Sequence, residues 1–220
     1  LVLSSGPTLP TVTLNRVQAS VEVSTVALNP TPTLAAELAR QLDGGLRFTL
    51  ARGTGLAPGE AYTLSARVND EQVSCDVETL PDQLPSGGLT IVVASCFYGY
   101  FNRDAAYLSA LKTRCFGKPA FKLLIGDNLY LDVAPNQRDV WGGYKETVER
   151  YLHYFWRTGY LDVLSYLPTM TTWDDHEFWN NYPERQCHLS RSRTSERDNY
   201  IAAGDECIRL FQYPLNPPAD

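Results

Sequence analysis

A chain of 220 residues with 44% hydrophobic and 20% charged residues has an ordinary globular composition and can bury a sizeable core. Its net charge of −6 excludes a broad nucleic-acid or anionic-membrane surface, and no run is long and apolar enough to span a bilayer. Five cysteines are too few and too scattered for a disulfide framework, and their odd number leaves at least one thiol free.

The first eighty or so residues read as all-β. Val17, Ala19, Val21 and Val23 alternate, as do Leu46, Phe48 and Leu50, then Tyr62, Leu64, Ala66 and Val68, then Val73, Cys75 and Val77. This period of two marks strands with one buried face. Asn29-Pro30, Asp43-Gly44-Gly45, Pro58-Gly59 and Asn69-Asp70 supply the turns. Leu34 to Leu42 instead repeats at helical spacing, with Thr33 as the expected N-cap. Leu56-Ala57-Pro58-Gly59-Glu60-Ala61-Tyr62 resembles the corner of fibronectin III and immunoglobulin-like sandwiches, where a tyrosine entering a strand bonds back to the preceding turn. The expected organisation is therefore a β-sandwich over 1–80, a Pro/Gly-rich linker over 81–88 and a second domain over 89–220.

Beyond the linker the pattern changes. Leu89 to Ser95, Ala120 to Ile125 and Pro168 to Trp173 read as apolar strands; Asn102 to Arg114, Val140 to Arg157 and Gly159 to Tyr166 read as helices. Strand and helix alternate, which predicts an α/β domain. Polar groups follow each strand: Cys96, Asp127, and the pair Asp174 and Asp175. In open α/β sheets the carboxyl ends of strands gather ligand-binding groups, so three sequence-distant motifs are expected to meet there.

Thr172-Trp173-Asp174-Asp175-His176-Glu177 packs three carboxylates and an imidazole into four consecutive positions. Clustered acids repel and resist burial, so a fold that keeps them together usually supplies a cation. Gly126 before Asp127 permits a sharp turn and close backbone approach to a ligand. A carboxylate at Asp127 can bridge two cations, and Tyr130, three residues on, can return its phenol to the same place. Thiolate and phenolate suit a trivalent or borderline transition metal, whereas aspartate oxygens suit harder divalent ions. His176 is expected to ligate a metal or donate a proton to a leaving oxygen. Phe178 and Trp179 read as core aromatics, and the basic run from Arg185 to Arg197 as a solvated surface segment.

In their order, Ala94-Ser95-Cys96, Gly126-Asp127-Asn128-Leu129-Tyr130 and Trp173-Asp174-Asp175-His176-Glu177 with Asn180-Asn181 resemble the PhoD-type alkaline phosphatases, members of the calcineurin-like metallophosphoesterases. The resemblance implies an immunoglobulin-like leader followed by a metallophosphatase α/β domain, a sheet sandwich flanked by helices. It also implies that Cys96, Asp127 and Tyr130 ligate a ferric iron. Asp127 would be shared with calcium, which Asp174 or Asp175 would also hold, other divalent ions being possible; His176 would stand beside the substrate. The implied activity is hydrolysis of phosphomonoesters or phosphodiesters in a secreted, periplasmic or cell-surface protein.

One departure is evident. Metallophosphoesterases complete their site with later Asp/His motifs, whereas after His176 the chain offers only His188, in the polar stretch beside Cys187. The chain therefore reads as the N-terminal part of such an enzyme. Two other readings compete: a secreted binding module without metal, and a calcium-stabilised structural domain in which Cys96 is inert.

Overall fold

The alternating segments of the N-terminal third form two antiparallel sheets in the computed structural model, which describes residues 1–16, 19–98, 106–114, 119–132, 143–157, 160–185 and 196–217. In chain order the strands are β1 (Val2–Ser5), β2 (Thr11–Arg16), β3 (Ala19–Val21), β4 (Val23–Leu28), β5 (Leu46–Gly53), β6 (Ala61–Val68) and β7 (Glu71–Glu78). One sheet runs β1-β5-β4 and the other β3-β2-β6-β7. Val12, Leu14, Tyr62 and Ala66 are buried on the second sheet, and Leu46 and Phe48 on the first. Asn69-Asp70 closes the β6–β7 hairpin, with Val68 opposite Glu71 and Asn69 at φ 52°. A two-residue hairpin needs that left-handed conformation, which Asn tolerates. The expected corner forms too: Ala57 donates its N–H to the Tyr62 hydroxyl at 2.8 Å.

Helix α1 (Pro32–Gln41) begins two residues earlier than its apolar spacing suggested. The cap is Thr31, not Thr33; its hydroxyl oxygen accepts from Leu34 N–H at 3.3 Å. Pro32 then occupies the first helical position, where a missing N–H costs nothing.

The second half alternates as expected: β8 (Ile91–Ala94), α2 (Ala106–Arg114), β9 (Phe121–Ile125), α3 (Tyr144–Phe155), α4 (Tyr160–Tyr166) and β10 (Thr169–Thr172). The strands are parallel in the order β10-β9-β8. The expected starts of the helices after β8 and β9, together with Cys115, Gly159, Cys187, His188 and most of the basic run, lie outside the described residues. Cys75, Cys96 and Cys207 are free thiols.

A last helix, α5 (Arg197–Cys207), was not anticipated; it continues into a π-helical turn at Ile208–Gln212. Its buried side chains Tyr200, Ala203, Cys207, Ile208 and Phe211 do follow helical spacing, but the polar run before them masks the pattern. Gly204 lets α5 lie against the site: a Cβ there would stand 2.6 Å from the Phe178 ring. Gly204→Ala is therefore expected to destabilise the protein by about 1–3 kcal/mol despite alanine's better helix propensity, because overpacking wins over propensity. Urea denaturation checks this, and a stabilised variant would contradict it.

One hydrophobic cluster joins both halves. Leu34, Leu38, Leu46 and Phe48 pack with Tyr151, Phe155 and Phe211, and Phe48 meets Phe211 edge-on at 4.9 Å between centroids. The parallel sheet is less enclosed than its apolar sequence suggested. Lys122, Leu124, Thr169 and Thr171 are buried on one face, but Ile91, Val93 and Ile125 on the other are 42%, 53% and 51% exposed. All-parallel sheets are ordinarily covered on both faces.

Lys122 is the unusual occupant of the covered face. Its ammonium donates to the carbonyls of Leu164 (3.3 Å) and Leu167 (2.9 Å) behind α4, and burial lowers its pKa to about 7. Between about pH 7 and 10.5 the unfolded chain thus keeps a proton that the folded chain has lost. Stability from this group must rise with pH across that window, by at most about 1.4 kcal/mol per pH unit. Lys122→Met should abolish that rise, read as the difference in unfolding free energy between variant and wild type at pH 6.5 and pH 9.5. The Thr169 hydroxyl still reaches both carbonyls in the variant.

Candidate metal centre

The parallel register sets the site. Ala94 pairs with Leu124 and Thr172 with Ile125, so β8, β9 and β10 end side by side, and the residues after them converge. Phe97 N–H donates to the Asp127 carbonyl at 2.9 Å, tying the first loop to the second. Cys96 and Asp127 both adopt left-handed backbone, with φ of 59° and 51°. Such conformations cost about 1–3 kcal/mol in a non-glycine residue and cluster at functional sites.

Gly126, at φ 89°, serves a different close approach from the one expected. A Cβ there would lie 2.5 Å from the Cβ of Asp174, so the glycine admits the β10 loop rather than a ligand.

Asp127 is the hub. Its Oδ2 receives the Tyr130 hydroxyl at 3.1 Å and the Cys96 thiol at 3.4 Å. Its Oδ1 is buried with no hydrogen-bond partner. A carboxylate oxygen left so in an interior asks for a cation or a donor. Asp127, Asp175 and His176 each offer one donor atom, and these all lie within 4.8 Å of one another, a group able to hold a metal ion. The Tyr130 ring lies 4.3 Å from that of His176. Burial, with the neighbouring Cys96 and Asp127, pushes the Tyr130 pKa above its ordinary value, so its phenolate would need a cation to form.

Of the two aspartates after β10, it is Asp175 that joins this group. The Asp174 carboxylate is exposed and caps the 3-10 turn Asp175–Glu177, accepting from Asp175 N–H at 2.9 Å. Asn181 donates its backbone N–H to Asp175 Oδ2. Phe178 and Trp179 are core residues, whereas Trp173 is half-exposed and edge-on to Phe178 at 5.4 Å.

Two contributors escaped the sequence reading. Asp132 accepts at 2.7 Å from His176 Nδ1 and at 2.9 Å from Asn180 N–H. This fixes the ring and leaves Nε2 as its available nitrogen. Burial opposes the His176 cation, but the Asp132 hydrogen bond and the charges of Asp132, Asp127 and Asp175 outweigh it and raise the pKa. The second is Glu177, a member of the acidic cluster that is fully buried and completes the capping box of the 3-10 turn. Its carboxylate accepts the backbone N–H groups of Asp127 (3.2 Å), Asn128 (2.8 Å) and Asp174 (3.1 Å), stitching two loops together.

No protein-family model and no curated protein matches the chain. Among solved structures, one described as the structure of PhoD is similar over 97% of this chain, with a TM-score of 0.54 and 17% sequence identity. This chain spans 45% of that protein's length. At that identity the likeness is one of fold: the chain has a PhoD-like mixed α/β architecture with an acidic group able to hold a metal at its strand ends.

Proposed function

We propose that the chain is the N-terminal part of a PhoD-type metal-dependent phosphoester hydrolase, with an immunoglobulin-like sandwich over 1–80, a linker over 81–88 and catalytic-domain elements over 89–220. The observation that carries this reading is the convergence of three strand-end loops on Asp127, which takes the Cys96 thiol and the Tyr130 hydroxyl on Oδ2, has a buried unpartnered Oδ1, and groups with Asp175 and His176. The donors fit two metals of different character. Cys96, Tyr130 and Asp127 would hold a ferric iron, while Asp127, Asp175 and His176 would hold a second, divalent ion such as calcium.

Held by these residues, metals would lower the pKa of a coordinated water and neutralise charge on a phosphoryl group. The chain's own residues prepare that chemistry. Asp127 holds the two donor sets in fixed relation. Asp132 holds Nδ1 of His176 and so orients the ring, leaving Nε2 to ligate the divalent ion or, where that ion does not take it, to carry a proton for a leaving oxygen. A phosphomonoester or phosphodiester is the substrate class. The proposed location, outside the cytoplasm, follows the family resemblance; among the described residues no helix is long and apolar enough to cross a membrane.

Metal analysis with visible absorption tests the reading. Iron near one per chain, with a charge-transfer band lost in Tyr130→Phe and in Cys96→Ala, is expected. A chain purified with iron and calcium that retains neither metal would overturn it. Calcium retained without iron, with Cys96→Ala inert, would favour a structural calcium domain.

A further inference from the structure

Beneath the metal group runs a buried polar chain that ends far away in sequence, on the π-helical turn. Gln212, the last residue of that turn, is buried, and so are Asn128, Thr171, Tyr151 and Glu177. Gln212 Oε1 accepts from Asn128 Nδ2 at 3.0 Å and from the Thr171 hydroxyl at 3.2 Å. Gln212 Nε2 donates to the Tyr151 hydroxyl at 3.2 Å and reaches Glu177 Oε1 at 3.5 Å. Asn128 also donates to the Thr172 carbonyl at 2.7 Å.

We propose that Gln212 is a positioning residue for the metal group, a strut that sets the β9 and β10 loops at one height. The inference rests on the metal-dependent reading above. Asn128 directly follows Asp127, and Glu177 directly follows His176. One side-chain amide therefore holds the neighbours of two donors that approach from different strands. An amide does both jobs, accepting from the Asn128 donor and donating to the Glu177 carboxylate. The π-helical geometry supports this role. Ile208, Leu210 and Phe211 are anchored in the core, and Gln212 ends the turn between α3 and the strand ends. Single π-turns are rare and concentrate at functional sites. Buried networks of this kind are cooperative, so losing one member loosens the rest.

The test is Mn2+ titration of the whole chain by calorimetry, with Tm recorded for each variant without metal. Gln212→Met keeps length and apolar volume but removes both donor and acceptor. It is expected to weaken Mn2+ binding by about 10–100-fold, the usual effect of losing an outer-shell partner. Leu14→Ala, in the sandwich, is expected to lower Tm while leaving Mn2+ affinity within about twofold, because β2 does not touch the site. If Gln212→Met does not fold, Tyr151→Phe removes only the hydroxyl that receives the Gln212 amide, and a smaller loss of Mn2+ affinity is expected. Wild-type affinity in the folded Gln212 variant, or in Tyr151→Phe where that variant stands in, overturns the inference alone. No Mn2+ binding by the wild type overturns the metal-dependent reading and the inference with it.

Discussion

Asp127→Asn is expected to lose metal binding while the metal-free protein becomes no less stable. Two oxygens of Asp127 serve two neighbourhoods: Oδ2 meets the Tyr130 hydroxyl and the Cys96 thiol, and Oδ1 is buried without a partner. Asparagine keeps the shape and one acceptor, but it removes the charge that both donor sets share. A bridging ligand acts on both metals, so the loss should exceed the tenfold to hundredfold typical of an outer-shell change. In the metal-free protein the carboxylate stands against the carboxylates of Asp175 and Glu177. Removing one of several crowded like charges should therefore raise stability by up to about 1 kcal/mol, a trade common where function demands strain. Calorimetric unfolding with and without added metal reads both effects. A variant that binds metal as tightly as the wild type, or whose metal-free form is markedly less stable, would remove Asp127 from the centre of the site.

How much of this was legible beforehand depended on the range of the interaction. The β6–β7 hairpin was legible because its alternation and its Asn69-Asp70 turn are local properties of a short segment. β2 was not: Val12 and Leu14 are its only buried positions, flanked by threonines and polar residues that suit a loop equally well. The convergence of Cys96, Asp127 and Asp175 was legible because parallel strands end at one edge, which needs only the order of elements. Choosing between Asp174 and Asp175 was not, because it depends on which carboxylate caps the 3-10 turn. Asp132 and Gln212 were illegible for a related reason. Each acts through contacts with residues dozens of positions away, and neither stands in a periodic pattern that would mark it. The apolar character of β8 and β9 was read correctly, but apolarity does not say what covers a face, and Val93 and Ile125 are open.

Glu177→Leu is expected to have the largest effect on folding. The fully buried Glu177 carboxylate accepts from three backbone N–H groups, those of Asp127 and Asn128 in buried bonds and that of Asp174 in a part-buried one. Leucine fills similar space but accepts nothing. Orphaning a buried donor costs about 1–3 kcal/mol, so the two buried donors imply a loss of about 2–6 kcal/mol. That is comparable with the whole stability of many domains. Glu177→Gln should behave differently, because it keeps an acceptor oxygen. Burial raises the Glu177 pKa from 4.5 to about 7 against the opposing pull of its backbone donors. The folded protein therefore holds a proton between those values that the unfolded chain has released. The stability this lends is full below pH 4.5 and is lost as pH rises through about 7. Chelator-treated wild type should thus lose stability relative to Glu177→Gln between pH 5 and pH 7.5, while Glu177→Leu stays destabilised at both. A constant offset between wild type and Glu177→Gln across that range would mean the carboxylate is ionised throughout, its three backbone donors having overcome the cost of burial.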